Sequence, residues 1–398
     1  MPGRPTDPSQ LRSLRVAITA FFAFDGFVFA GWVVRIPAIK EQTGASPGAL
    51  GLALLGVSAG AVITMMLTGR LCRRFGSHPV TVACAVLLSL SVALPPLTHS
   101  ALALGAVLLV FGAAFGGINV AFNSAAVDLV AALGRPVMPG FHAAFSLGGM
   151  VGAGLGSLVA GSLSPTRHLL GITLIGLLVT AAAAPTLLRH EPPAPLDHTP
   201  GEPARESGPR GPGRLDSRTR ALVVVLGLIA GCTAYGEGAL ADWGALHLEA
   251  DLDASPGVAA IGYSCFALAM TVGRLTGTTL LERLGRTTVL VAGGSTATAG
   301  MLLGSLAPSV PATLLGFAIT GLGLANIFPV AIERAGALAG PSGVATASTL
   351  GYLGMLLGPP AIGFMAEWFS LPTALTSVAV LAAFASVIAF ATRHSAAK

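Results

Sequence analysis

Apolar runs of about 20 residues, separated by short polar stretches, recur along the whole chain. A run of this length matches what an α-helix needs to cross ~30 Å of hydrocarbon. Twelve runs can be counted, at residues 14–34, 48–69, 79–98, 103–127, 141–163, 168–188, 221–246, 256–279, 288–307, 311–333, 341–364 and 371–391. The pattern predicts an all-α membrane protein with twelve transmembrane helices.

Composition and charge agree with this prediction. The 398 residues are 53% hydrophobic and 10% charged, with a mean hydropathy of +0.79, which excludes a water-soluble domain. The net charge of +5 could suggest a nucleic-acid partner, but the 22 Lys and Arg fall on alternate loops. Nineteen of them, including Arg274, are assigned to one side of the membrane. The other three, Arg35, Lys40 and Arg167, are assigned to the opposite side. This bias predicts a plasma-membrane protein with both termini in the cytoplasm. The basic residues are thereby explained by topology, so the lipid bilayer is the expected partner and nucleic acid is not.

A stretch at 189–220, rich in Pro, Gly and charge, divides the apolar runs six to six. Its composition is typical of a disordered cytoplasmic linker. We therefore predict a cytoplasmic tail at 1–13, a six-helix bundle at 14–188, a second bundle at 221–391 and a tail at 392–398. The first fifteen residues are polar, so no cleaved signal peptide is expected. Four cysteines without CxxC spacing predict neither a disulfide nor a metal, and no cofactor is expected.

The two halves carry a faint internal repeat. "AGWVVRIPAIKEQTGASPG" after the first run aligns with "ADWGALHLEADLDASPG" after the seventh, which pairs Trp32 with Trp243 and the two Ser-Pro dipeptides, where Ser46 and Ser255 can cap the next helix. "LCRRFGSH" aligns with "LLERLGRT", and a further match pairs Asp128 with Glu333. Parallel six-helix repeats around a midplane site are a transporter architecture in which the halves rock about the substrate.

The loop "GRLCRRFG" and its second copy "ERLGR" resemble the signature loop of the major facilitator superfamily. Gly69, Arg74 and Gly76 fit that pattern, whereas Arg73 stands at its acidic position and Ser77-His78 replace its basic pair. "GWVVRIPAIK" and "FHAAFSLGGMVGAG" are similar to a bacterial branch distantly related to fucose permease. The resemblance implies alternating access without enzymatic chemistry. It also implies gating or structural roles for Arg70, Arg73, Arg74, Glu282, Arg283 and Arg286, and for the repeat-matched acids Asp128 and Glu333.

Asp25 stands in "FFAFDGFVFAGW", near the middle of the first run. An ionised carboxylate there costs several kcal/mol, so the protonated form is favoured. We predict that Asp25 binds a proton in one access state and releases it in the other; a structural hydrogen bond to a neighbouring helix is the alternative. Glu237 lies within one position of the repeat mate of Asp25 and is predicted to share proton coupling, or else to lie in a wet outer mouth.

Candidates for the substrate cavity are polar or aromatic residues inside the runs. Asn119 and Asn123 are four residues apart and share a helix face, where they could bind a hydroxylated or zwitterionic ligand or join helices. In the fucose-permease comparison, the acid expected in helix four falls on Asn119. The remaining cavity candidates are Asn326, Trp32, Trp243 and Tyr235, the tryptophans fitting either an interfacial belt or a stacking surface. His142 opens the run 141–163, near the predicted cytoplasmic surface. Proton transfer is one candidate role for it, and a structural or gating role is the alternative.

The sequence therefore predicts a monomeric secondary transporter that moves a small polar solute, coupled to protons. An exporter of amphipathic compounds is the alternative within transport, although the Arg in helix four and the Gly-Pro in helix five that mark the superfamily's drug exporters are missing. A non-transporting sensor or scaffold is the alternative from another class. An enzyme is not expected, since neither HExxH nor GxxxxGK[ST] occurs.

Overall fold

The computed structural model of the protein describes residues 8–45, 47–159, 162–190, 216–254 and 256–392. Within these ranges all regular secondary structure is helical. This confirms the predicted all-α class. Most of the predicted linker, both chain ends and the two proposed caps, Ser46 and Ser255, lie outside the described residues.

The N-terminal half consists of seven helices in the described ranges. They are α1 (Pro8–Val33), α2 (Ile36–Thr43), α3 (Pro47–Phe75), α4 (Ser77–Ser91), α5 (Ala101–Leu133), α6 (Met138–Val159) and α7 (Pro165–Arg189), with a 3₁₀ turn at Pro95–Leu97. The sequence pattern did not predict α2, because eight residues are too few for an apolar run. Pro37 in its first turn and Gly44 in the left-handed conformation at its end bound this helix.

The C-terminal half contains the helices after the linker. They are α8 (Ser217–Leu252), α9 (Pro256–Leu284), α10 (Arg286–Leu306), α11 (Val310–Leu324), α12 (Ile327–Trp368) and α13 (Leu371–Ala391). The predicted run 311–333 is interrupted at Ala325 and Asn326, between α11 and α12. Asn326 turns its amide toward α9 and donates a hydrogen bond to the carbonyl oxygen of Gly273, at 2.9 Å. Hydropathy counts cannot detect such a break.

Helix α12 is two helices joined at a sharp turn. Ala339 and Gly340 leave the helical conformation, and Gly340 has a φ of 56° that favours glycine. In the described ranges, nine segments are long and apolar enough to cross a membrane, and one of them, Val310–Trp368, has 59 residues. At 1.5 Å per residue this segment is too long for one crossing. The count of twelve crossings stays a prediction.

The two halves share part of their core at one end of the molecule. A large buried cluster in the N-terminal half also takes in Ile332, Ala335, Val344 and Ala345 of α12. A second cluster lies within the C-terminal half. Since small residues let helix backbones approach closely, glycines mark the crossings between halves: a β-carbon at Gly69 would lie 2.7 Å from that of Ala345.

The repeat-equivalent pair of helices, α9 and α6, makes a similar close contact between the halves. A β-carbon at Gly277 of α9 would lie 2.6 Å from Pro139 of α6, and one at Gly336 would lie 2.6 Å from Val127. These crossings lie at the end of the bundle that carries the α3–α4 and α9–α10 connections. We call this end of the molecule the closed end.

Candidate transport pathway and its closed end

Asp25 lies on α1 with no exposed surface. Neither carboxylate oxygen has a hydrogen-bond partner among the described residues. Helix α1 is pressed against α6 at this level, because a β-carbon on Gly26 would overlap the carbonyl oxygen of Phe145 and one on Gly148 would overlap that of Ala23. The carboxyl group is therefore enclosed by close helix contact, and the structural hydrogen bond weighed above is not formed in the described part of the chain.

The predicted amide pair lies in the buried part of α5. The amide nitrogen of Asn123 donates to the carbonyl oxygen of Asn119 at 2.8 Å and lies 3.4 Å from its side-chain oxygen. The side-chain oxygen of Asn123 is buried and has no described partner. One acceptor of the pair therefore lacks a hydrogen bond in the described part of the chain.

Glu237 is not joined to Asp25 but to an arginine of the next helix. Its carboxylate oxygen Oε2 lies 3.5 Å from Nη2 of Arg274 on α9, with the side chain of Glu237 30% exposed and that of Arg274 8% exposed. The loop count above treated Arg274 as a cytoplasmic loop residue, which is wrong. The sequence did contain a signal that Arg274 is not a loop residue, because it lies inside the predicted run 256–279, several residues before its end.

Tyr352 of α12 is a further candidate site residue, which sequence reasoning missed. Its ring makes an edge contact with Phe115 across the two halves, at 6.2 Å between centroids. Its hydroxyl lies within electrostatic range of Asp25 and Glu237, one acid from each half. A single tyrosine in an apolar run gives no sequence signal for this position.

The aromatic and amide candidates at the repeat-matched positions are mostly engaged within their own half. Trp32 is buried beside Phe111, with centroids 6.2 Å apart, so it is not a lipid-exposed belt residue. The Tyr235 hydroxyl is 2.9 Å from that of Ser377 on α13. Trp243 is half-buried, and its indole nitrogen has no hydrogen-bond partner among the described residues. Asn326 belongs to the α11–α12 break described above.

Each signature loop contacts a buried acid at the repeat-matched position, but one contact is an ion pair and the other is a hydrogen bond from a neutral group. Gly76 and Gly285 precede α4 and α10 with φ values of 87° and 76°, which explains glycine in both copies. In the second copy Arg286 lies 2.5 Å from the buried Glu333 and forms an ion pair with it. In the first copy Ser77 stands at the position of Arg286, and its hydroxyl donates to Asp128 at 3.5 Å. The first copy therefore lacks the charge of the second.

We expect Arg286→Gln to destabilise the protein by about 1–3 kcal/mol, because Glu333 would stay buried without its closest cation while Arg286 itself is half-exposed. Ser77→Ala removes the equivalent, neutral contact, and less than about 1 kcal/mol is expected. The apparent melting temperature of the purified protein in detergent measures both. Equal losses in the two variants would contradict this interpretation.

Side chains of the signature loops also join the halves at the closed end. Arg73 of α3 donates to the hydroxyl of Ser342 on α12. Nε of Arg135, in the α5–α6 connection, donates to Glu282 of α9 at 2.8 Å, which raises the pKa of the Arg135 guanidinium. The remaining motif arginines, Arg70, Arg74 and Arg283, are exposed.

His142 is more deeply placed than its predicted position near the cytoplasmic surface. It is buried on α6 between Phe22 and Phe328, with ring centroids 5.3 Å and 5.8 Å away. Because Phe328 belongs to the other half, His142 is part of the packing between halves. Its Nε2 atom has no hydrogen-bond partner among the described residues.

Two stretches of the sequence match an enzyme motif. Residues 44–48 read GASPG and residues 56–60 read GVSAG, and both fit the GxSxG pattern of serine hydrolases. That pattern presents a nucleophile only on a tight turn between a strand and a helix. Ser46 of the first stretch lies outside the described residues. The second stretch lies inside α3, and its two glycines pack against Gly105 and Leu109 of α5. The glycines serve helix packing.

Comparison with known proteins decides the family. The sequence profile of the Major Facilitator Superfamily matches residues 16–246 and 226–398. The chain belongs to the major facilitator superfamily. An uncharacterised MFS-type transporter of Yersinia pestis is 35% identical over 373 residues, which cover 93% of each chain. Membrane protein MosC of Rhizobium meliloti is 30% identical over 408 aligned residues, which cover 99% of this chain and 94% of MosC.

The fold of this superfamily member also matches solved structures. FucP in its outward conformation superposes with a TM-score of 0.74 at 16% identity, covering 94% of this chain and 97% of FucP. At this identity the match shows a shared fold. The predicted family resemblance is confirmed, and the protein is a multi-pass membrane transporter of this superfamily.

Proposed function

We propose that this transporter moves a small polar solute by alternating access and couples that movement to protons through Asp25. The observation that carries the proposal is the enclosed carboxyl group of Asp25, which has no hydrogen-bond partner among the described residues. An ionisable group held at such a cost inside a membrane bundle marks a proton or ion pathway. The structurally similar FucP is a fucose:proton symporter, which supports the same class of coupling.

The solute is expected to carry hydrogen-bond donors. The unpaired side-chain oxygen of Asn123 and the partly exposed carboxylate of Glu237 are both acceptors. Hydroxyl or ammonium groups would satisfy them. Tyr352 adds an aromatic surface with a polar tip between the halves. A sugar-like or zwitterionic metabolite fits this chemistry better than an amphipathic drug.

We further propose that the protein crosses the plasma membrane twelve times with both termini in the cytoplasm. The Lys and Arg bias between alternate loops supports this orientation. The closed end then faces the cytoplasm, because it carries the Arg-rich α3–α4 and α9–α10 connections. The described conformation is in that case the outward-facing state of the alternating-access cycle.

Uptake into proteoliposomes tests the function directly. Purified protein is first screened for ligands by thermal shift at two pH values, using a panel of sugars, polyols and amino acids. A radiolabelled hit is then offered to proteoliposomes with or without an inward proton gradient. We expect accumulation above the equilibrium level only with the gradient, and its loss when a protonophore is added. Uptake that ignores the gradient would contradict proton coupling, and outward movement of amphipathic cargo would favour the exporter.

A further inference from the structure

The guanidinium of Arg274 contacts two helices and the α11–α12 break, and these come from both halves of the transporter. Its Nη1 donates to the hydroxyl of Ser146 on α6 at 2.6 Å, and its Nε donates to the carbonyl oxygen of Ala325, in the α11–α12 break, at 3.4 Å. Its Nη2 faces Glu237 of α8 at 3.5 Å. We call this set of contacts the Arg274 bridge. Its link to Ser146 is the one that joins the two halves.

The charge balance of the Arg274 bridge depends on Glu237. Arg274 is 6% exposed, so its charge is largely removed from water. In the part of the chain that the structure describes, Glu237 is the carboxylate within ion-pair distance of Arg274, whereas Ser146 and Ala325 offer neutral oxygens. A buried cation that loses its counter-ion is strongly destabilised unless it moves to water.

Glu237 is also the accessible member of the ion pair. Its side chain is 30% exposed, and 3.5 Å is long for a hydrogen-bonded pair, so a ligand can compete for the carboxylate. Arg274 has no comparable exposure. A positive group that reaches this site would therefore meet Glu237 and leave Arg274 without compensation.

We propose that Arg274 is a positioning residue that holds the closed end together, and that a positive group which binds Glu237 releases it. The positive group is either a proton or a cationic group of the solute. Release turns Arg274 away from Ser146 and frees α6 from α9, which are the helices that meet at Pro139 and Gly277. The inference rests on the proposed alternating access, but not on the identity of the solute or on Asp25.

Other titratable and charged groups surround this pair. Tyr263 on α9 and Tyr352 on α12 both lie within the electrostatic reach of Glu237, as does His142 on α6 within that of Arg274. Asp242, one turn further along α8, is exposed. Of this set, Glu237 is the member that forms an ion pair with Arg274, so the experiment removes its charge alone.

Distances between spin labels measure whether the closed end opens. Labels are placed on cysteines that replace the exposed Ala131, near the end of α5, and Thr288, near the start of α10, in a background without the four native cysteines. Glu237→Gln mimics the neutralised carboxylate. We expect the ratio of short to long distances to fall about tenfold or more relative to the parent protein.

Further variants test whether Glu237 acts through Arg274. Arg274→Gln removes the link to Ser146 and should open the closed end by itself, and adding Glu237→Gln should then change the distances little further. Glu249→Gln makes the same chemical change at an exposed acid of the same helix and should leave the distance distribution unchanged. Size-exclusion profiles confirm that each variant is folded.

The outcomes decide the proposal without a transport assay. An unchanged distance distribution in Glu237→Gln or in Arg274→Gln, or additive opening in the double variant, would overturn it. The releasing group is the proton if two results are found without solute: acidification opens the closed end of the parent protein, and it causes no additional opening in Glu237→Gln. If only cationic solutes open the parent protein, the releasing group belongs to the solute. A failure of proton-driven uptake would count against Asp25 and leave these distances unaffected.

Discussion

An Asp25→Asn variant is expected to lose uphill accumulation completely while it still exchanges solute across the membrane. Asparagine preserves the shape of the side chain but cannot take up and release a proton. The enclosed site contains no other described hydrogen-bond partner that could take over this role. The accumulation ratio in proteoliposomes with an imposed proton gradient should therefore fall to about one, whereas counterflow of labelled against unlabelled solute should persist.

Asp242→Asn is the matched control, since it makes the same chemical change at an exposed acid in α8. Its uphill accumulation should equal that of the parent protein. Stability offers a second readout: Asp25→Asn should be at least as stable as the parent protein, because no ion pair or hydrogen bond of the described residues is broken. Undiminished uphill accumulation in Asp25→Asn would remove this residue from the coupling step.

The helices and the burial of Asp25 could be read from sequence because both follow from the one-dimensional pattern of hydropathy. A long apolar run has few ways to satisfy its backbone in lipid except as a helix. An acid in the middle of such a run is enclosed whichever helices surround it. The glycines of "SLGGMVGAG" in α6 also indicate packing positions from sequence alone, since small residues allow close approach in any bundle.

The partners of the charged groups could not be predicted, because they depend on how helices rotate against one another. Arg35 and Arg274 were both counted with the loops, yet both are buried. Nε of Arg35 donates to Nδ1 of His168 at 2.8 Å, and the two residues are 133 positions apart in sequence. Glu237 was paired with Asp25 by repeat symmetry, whereas the structure joins it to Arg274.

Repeat-matched residues have similar roles in the signature loops but different roles inside the bundle. Gly76 and Gly285 have the same backbone role, and the residues that follow them, Ser77 and Arg286, donate to Asp128 and Glu333. Inside the bundle the mates diverge: the carboxylate of Asp25 has no described partner, and Glu237 is paired and partly exposed. Two acids at matched positions can therefore serve different steps, one for coupling and one for the closed end.

The close crossing of α1 and α6 beside Asp25 yields the second large expected effect. A β-carbon on Gly148 would overlap the carbonyl oxygen of Ala23, two residues before Asp25. Because the obstacle is backbone, Gly148→Val cannot be absorbed by a side-chain rearrangement. We expect it to cost more than about 3 kcal/mol and to lower sharply the yield of folded, monodisperse protein.

Gly154→Val is the matched control, because it introduces the same side chain on the same helix where nothing lies within 4 Å of a β-carbon. Its yield and apparent melting temperature should stay close to those of the parent protein, since both variants share any change in helix propensity. Gly148→Ala supplies an intermediate step. If enough of it folds, α1 and α6 must separate at the level of Asp25, so water would reach the carboxyl group and proton-driven accumulation should weaken while counterflow persists. Equal behaviour of Gly148→Val and Gly154→Val would show that the crossing does not enclose Asp25 as described.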